Sequence, residues 1–314
     1  MLTIDYEKKS SIREAYGKKL VELGAKNSNV VVLDADLSAS TQTKFFAKEY
    51  PERFFNVGIA EQNLITTSAG LALSGKIPFA SAFAVFITGR AYDQIRTSVC
   101  YQHANVKIIG THGGITVGED GATHQALEDV SLMRGLPNMT VIVPADCNEC
   151  EQAMEYALEH NGPVYIRVAR NSLPDIYSWN YKFNPNKAVV LKEGKDITLI
   201  SNGDVLSEVC KASDILQKQG VNAEIISVPV VKPFDSETVI NSVKKTGLAV
   251  TVENHSINGG LGSAVCEALS EYYPANVMRI GIKDEFGQSG DAKSLLKYYG
   301  LDSESIANRI IKEI

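Results

Sequence analysis

The chain has 314 residues, 44% hydrophobic and 22% charged, with a net charge of −6. That length predicts about two domains with full cores, and the composition is that of an ordinary globular protein. The acidic balance and the pI near 5.5 argue against nucleic-acid or acidic-membrane partners. No run approaches the eighteen apolar residues of a membrane span, and MLTIDYEKKSS carries no apolar signal segment. A cytoplasmic location is expected.

In chain order, a helix over 10–23 leads into an apolar strand over 30–36, VVVLDAD. A strand over 54–59 follows and turns at Glu61 into a helix rich in Ala, Gly, Ser and Thr. Short strands are predicted over 77–82, 106–111, 140–145 and 163–169, with helices around Tyr92 and over 148–159. Continuous apolar strands separated by helices predict a parallel sheet covered on both faces. SLPDIYSWNYKFNPN, over 172–186, has no period and is rich in Pro, Asn and aromatics, which predicts a linker. A second α/β unit follows, with strands over 197–201, 223–228 and 248–252. The fold class is α/β, with two parallel-sheet αβα domains over 1–172 and 188–314 and a linker over 173–187.

Five cysteines at irregular spacing argue against a disulfide framework. Cys147 and Cys150 form a C-x-x-C, but DCNECEQAM predicts a helix start with Asp146 as N-cap and Glu149 completing a capping-box variant. Gly259, Gly260 and Gly262 lie between a strand and a helix. A dinucleotide turn there is a weak alternative, because the spacing is not GxGxxG.

Three stretches carry chemistry. VGIAEQNL puts Glu61 in an apolar strand-to-helix turn, where a carboxylate is costly unless paired. The bland reading is a first-turn acid favoured by the helix dipole. PFASAFAVFITGRAYDQIR places Phe83 and Phe86 three apart on one side of a turn. Such a pair is more often core, but beside Glu61 it supplies a stacking platform and an acid. THGGITVGEDGATHQALE gathers His112, Glu119, Asp120 and His124 among glycines that let backbone approach a ligand closely.

The order GIAEQN, AFAVF…RAYDQIR, THGGITVGEDGATHQALED, PADCNEC and RVARNSLP strongly resembles transketolase. The match runs from about Arg13 to Pro174 and more weakly beyond, and covers only the back half to two-thirds of such an enzyme. The resemblance implies a pyrimidine-binding domain followed by a transketolase C-terminal domain. The front domain of the family binds the diphosphate of thiamine diphosphate through a metal held by GDG…N. That motif is absent here; the nearest string, Asn202-Gly203-Asp204-Val205, lacks the second glycine.

By the same resemblance, Glu61 bonds the aminopyrimidine ring nitrogen and promotes the imino tautomer. Phe86 stacks on that ring, Phe83 completes the pocket, and Asp36 lies near the thiazolium. Arg13, Ser40 and Arg170 match a phosphate clamp with His112 beside it. Asp120 and His124 match groups that bind sugar hydroxyls, His124 also relaying protons. FITGRAYDQ carries one residue more, around Gly89, than some relatives; Arg90 can assist with anions but is not assigned to the site.

The implied activity is ketol transfer between sugar phosphates, within pentose phosphate metabolism. The implied cofactor is thiamine diphosphate, shared with a separate diphosphate-binding subunit that carries the Mg or Ca ion; no metal is expected on this chain. An α2β2 heterotetramer is the implied assembly, silent without the partner. Alternatives are the β subunit of a 2-oxo-acid dehydrogenase, in which an HSQSPE-like segment would replace GEDGATHQALED, a deoxyxylulose-phosphate synthase-like half enzyme, and a non-enzymatic scaffold.

Overall fold

The computed structural model describes residues 4–178 and 180–314; residues 1–3 and Trp179, the latter within the predicted linker, lie outside the described residues. A seven-stranded sheet has the order Val230–Lys232, Thr140–Ile142, Val164–Val168, Lys107–Thr111, Ile77–Phe83, Val30–Asp34, Phe54–Asn56. A five-stranded sheet has the order Asn276–Ile282, Leu248–Ser256, Ile197–Ser201, Ala223–Ser227, Val189–Lys192. The inner strands VVVLD, KIIGT and VYIRV are buried at every position, as expected for parallel strands covered on both faces.

Two edge strands depart from the parallel expectation. Val189–Lys192 and Val230–Lys232 both pair antiparallel. Only Val228 and Pro229 separate Ala223–Ser227 from Val230–Lys232, far fewer residues than a parallel crossover needs. The chain therefore leaves the second sheet and closes the edge of the first, where the Val143 N–H donates to the Pro229 carbonyl at 2.7 Å. The Thr140–Ile142 strand is shorter than its apolar run predicts.

The segment after the first sheet is held at several points. Ser172–Pro174 pairs antiparallel with Lys9–Ser11, and Ile176 and Tyr177 are buried. Asp146 caps the Cys147–Glu159 helix as predicted, accepting the Glu149 N–H at 2.8 Å. Its other oxygen accepts the N–H groups of Ile176 and Tyr177, each at 2.8 Å. The Glu149 carboxylate accepts from the Ala145 N–H, one residue ahead of the cap, instead of closing a capping box on Asp146. Asp146→Ala removes a cap and strands two buried N–H groups, so it should destabilise the fold by about 3 kcal/mol in urea unfolding.

Cys147 begins this helix with its thiol pushed up to about 12 by burial and by the nearby Asp146 charge, which disfavours a reactive thiolate. At the glycine turn before the Leu261–Tyr272 helix, the Glu253 carboxylate accepts the N–H groups of Leu261 and Gly262 at 2.7 and 2.8 Å. A Cβ at Gly260 would lie 2.1 Å from a Glu253 oxygen. The helix start that a dinucleotide phosphate would use is filled by the protein's own carboxylate, and the dinucleotide alternative falls. Among the described residues no helix is long and apolar enough to cross a membrane.

Candidate active site

Glu61 opens the Glu61–Leu73 helix directly after Ala60, which has no side chain to cap it. The strand before it stops at Asn56, short of the predicted 59, because Gly58 adopts φ +73°. Asn56 organises the turn: its Oδ1 accepts the N–H groups of Gly58 at 3.0 Å and Asp36 at 3.1 Å. Its Nδ2 donates to the Asp36 carboxylate at 3.1 Å. Asp36 is exposed and held at φ +63°, just past the end of Val30–Asp34. Asn56 ties Asp36 to the turn that precedes Glu61, and nothing in the sequence singled it out.

The Glu61 side chain is only 4% exposed, and its partner is Arg90. Arg90 Nη1 donates to Glu61 Oε1 at 3.1 Å, and the guanidinium carbon lies 4.1 Å from the Phe86 ring centroid. Arg90, left unassigned by the sequence, thus belongs to this site. A buried carboxylate with a paired donor is the arrangement that burial demands.

Phe83 and Thr111 are register partners on adjacent parallel strands, so Phe83 and His112 emerge together at the strands' C-terminal ends. Their rings stack at 3.9 Å. Phe83 stacks on Phe86 at 5.9 Å, and the His124 ring meets Phe86 edge-on at 5.2 Å. The fold thus brings Phe83 and Phe86 together with both loop histidines beside them.

His112 Nδ1 lies 2.9 Å from Thr111 Oγ1, and burial, reinforced by Arg13, Arg170 and His124, lowers its pKa from 6.5 to about 3. The unfolded chain takes up a proton below 6.5 that the folded chain refuses. The stability that neutral His112 contributes is complete above 6.5 and is lost as pH falls towards about 3. Imidazole NMR shifts of His112 should show no protonation step between pH 5 and pH 8, roughly the range in which an ordinary histidine titrates.

Arg13 sits in the first turn of Ile12–Lys26, a helix capped by Ser11. Its Nε donates to the Arg170 carbonyl at 3.0 Å and its Nη1 to the Ser40 carbonyl at 2.7 Å. Ser40 thus positions Arg13 through its backbone, where the sequence pointed to its hydroxyl. Arg170 donates to the Val117 carbonyl and, at 3.0 Å, to Glu119. Burial and the neighbouring Arg170 charge hold Arg13 below its usual pKa. Two guanidiniums near enough for Arg170 to hold down the proton affinity of Arg13 favour an anion between them.

Asp120 is exposed at the end of the Ile115–Asp120 turn, and His124 is half-buried with Nδ1 2.9 Å from Thr123 Oγ1. The C-terminal unit braces this loop. Gln125 Nε2 donates to the Gly118 and Gln288 carbonyls at 3.3 and 3.0 Å, and Ser289 donates to the Glu119 carbonyl at 2.9 Å. The Asp204 carboxylate is engaged with Thr116 at 2.6 Å and Asn254 at 2.9 Å. Among the described residues no three His, Cys, Asp or Glu side chains are grouped to hold a metal.

An aminopyrimidine fits the buried acid and the aromatic face: it is planar, it stacks, and its protonated ring nitrogen can donate to a carboxylate. The Arg90 guanidinium already makes both kinds of contact there.

Residues 8–175 match the family model for the transketolase pyrimidine binding domain, and residues 186–306 that for the transketolase C-terminal domain. The chain is 50% identical over 306 residues to a Methanocaldococcus jannaschii protein named as a transketolase C-terminal section, covering 96% of each. It is 43% identical over 295 residues to a 6-deoxy-6-sulfo-D-fructose transketolase subunit of Clostridium sp. (strain MSTE9), covering 94% of this chain and 92% of that one. A solved split-gene transketolase, described as an inactive β4 tetramer, superposes with a TM-score of 0.90 at 50% identity, covering 96% of this chain and 97% of that one. Together with the buried acid and its aromatic platform, these matches establish that the chain belongs to the transketolase family and carries that family's pyrimidine-binding and C-terminal domains.

Proposed function

We propose that this chain is the pyrimidine-binding subunit of a two-polypeptide transketolase that moves a two-carbon ketol unit from a ketose phosphate to an aldose phosphate. One observation carries the reading: buried Glu61 is paired with the Arg90 guanidinium over the Phe86 ring, with His124 edge-on to that ring. The near-complete length match to relatives named as a section or a subunit supports a separate partner. That partner would supply the diphosphate and metal site, and α2β2 is the assembly that pairs each half-site.

Thiamine diphosphate, when bound, supplies a nucleophilic carbon and an electron sink. Glu61 would hold the proton at the pyrimidine ring nitrogen, and Phe86, backed by Phe83, would fix the ring plane. Asp36 would lie on the thiazolium side. Arg13 and Arg170 hold the substrate phosphate, with Ser40 fixing Arg13. Neutral His112 accepts or donates a hydrogen bond without adding a third positive charge beside them. Asp120 and His124 orient the hydroxyls next to the bond that breaks, and His124 relays the proton.

The test is ketol transfer from a ketopentose phosphate to an aldopentose phosphate, with this chain, a diphosphate-domain polypeptide from the same source, Mg²⁺ and cofactor. Turnover by the mixture and by neither component supports the proposal. Cofactor-dependent turnover of a 2-oxo acid, with none of the sugar phosphates, would overturn it.

A further inference from the structure

The Glu61–Arg90–Phe86 contact has a property that the proposed function does not use. Arg90 follows the Ala84–Gly89 helix, one turn after Phe86, so its side chain can lie back across the Phe86 ring. Its guanidinium carbon lies 4.1 Å from that ring's centroid, and its Nη1 reaches Glu61 Oε1 at 3.1 Å. A planar cation-like donor, stacked on one aromatic and bonded to one buried carboxylate, imitates the contacts of a protonated aminopyrimidine. Both cannot use that ring face and that oxygen at once.

The two ends of the pair differ. The Glu61 side chain is 4% exposed, whereas that of Arg90 is 48% exposed. Glu61 cannot leave the protein interior, but Arg90 can swing into solvent. A Cβ built at Gly89 would meet nothing within 4 Å, so the space beside Arg90 is open on that side.

We propose that Arg90 is a place-holder in the pyrimidine seat: it neutralises and covers Glu61 in the empty chain and must be displaced before a cofactor ring can stack on Phe86. This rests on the reading of Glu61 and Phe86 as a pyrimidine seat. The seat is competent only in the fraction of molecules with Arg90 turned out, and apparent affinity falls by that fraction. Arg90 also keeps the carboxylate from being buried without a partner before the subunits meet.

The test titrates the full chain, without partner, with the hydroxymethyl-aminopyrimidine half of thiamine, following amide NMR shifts. Arg90→Ala should bind this ring at least about tenfold tighter than wild type. Arg90→Lys, which keeps the charge but loses the planar stack, should fall between them. Adding Glu61→Gln or Phe86→Ala to Arg90→Ala should abolish the gain. Equal or weaker binding by Arg90→Ala, with Glu61 and Phe86 still required, overturns the place-holder and leaves the seat intact. Binding that ignores Glu61 and Phe86, or no binding by Arg90→Ala, overturns the seat reading as well.

Discussion

Glu61→Gln should lower kcat for ketol transfer in the reconstituted enzyme by about 10²–10⁴-fold, the range associated with a lost general acid–base group. The amide keeps an oxygen for Arg90 and nearly the same volume, so the aromatic platform and the Arg90 contact survive. What is lost is the ionisable proton and one first-turn charge, the latter contributing roughly 0.3–1 kcal/mol to stability. Urea midpoints should therefore be nearly unchanged, and KM for both sugars should stay within about twofold of wild type if Glu61 meets the cofactor ring and not the substrate, as proposed. Activity of the variant within about threefold of wild type would remove Glu61 from the chemistry.

The second large effect falls on the paired guanidiniums. Arg13→Ala should raise KM for a ketose phosphate by about 10–100-fold with little change in kcat, the loss of one charge-assisted contact. Arg170→Ala should raise KM similarly and lower kcat as well, because Arg170 also holds the Val117 carbonyl and Glu119 and so fixes the loop bearing Asp120 and His124. Lysine at either position should rescue poorly, since it cannot offer two parallel donors. Non-phosphorylated donors such as hydroxypyruvate discriminate the role. If Arg13→Ala weakens them as much as a ketose phosphate, Arg13 is structural and not a phosphate ligand.

Much of this site is legible in the chain because its chemistry lies in local strings. The apolar strand before Glu61 and the small residues after it mark a strand-to-helix turn. Glycines around His112, Glu119 and Asp120 mark a loop meant for close approach. Asp146 is readable as a cap from the acid and the helix that follows it.

What is hidden depends on contacts between distant segments. Asn56 becomes a site residue only when Phe54–Asn56 pairs with Val30–Asp34 and brings it against Asp36. Arg90 is an ordinary helix-end arginine until the fold sets Glu61 within its reach, twenty-nine residues earlier in the chain. Ser40 offers a hydroxyl in sequence, yet its carbonyl bonds Arg13, a choice made by backbone direction. The antiparallel edge at Val230–Lys232 is hidden for another reason: its apolar residues fit either sheet, and only the two-residue spacer forbids a crossover.

The claim that this chain holds the pyrimidine half of a divided thiamine diphosphate site is tested most directly by calorimetry. The cofactor with Mg²⁺ is titrated into the chain alone, and then into the chain with a diphosphate-domain partner. Absent or very weak heats are expected from the chain alone, and saturable binding once the partner is added. Tight, Mg²⁺-dependent binding by the chain alone would contradict it, because a diphosphate and metal site would then have to lie within these residues.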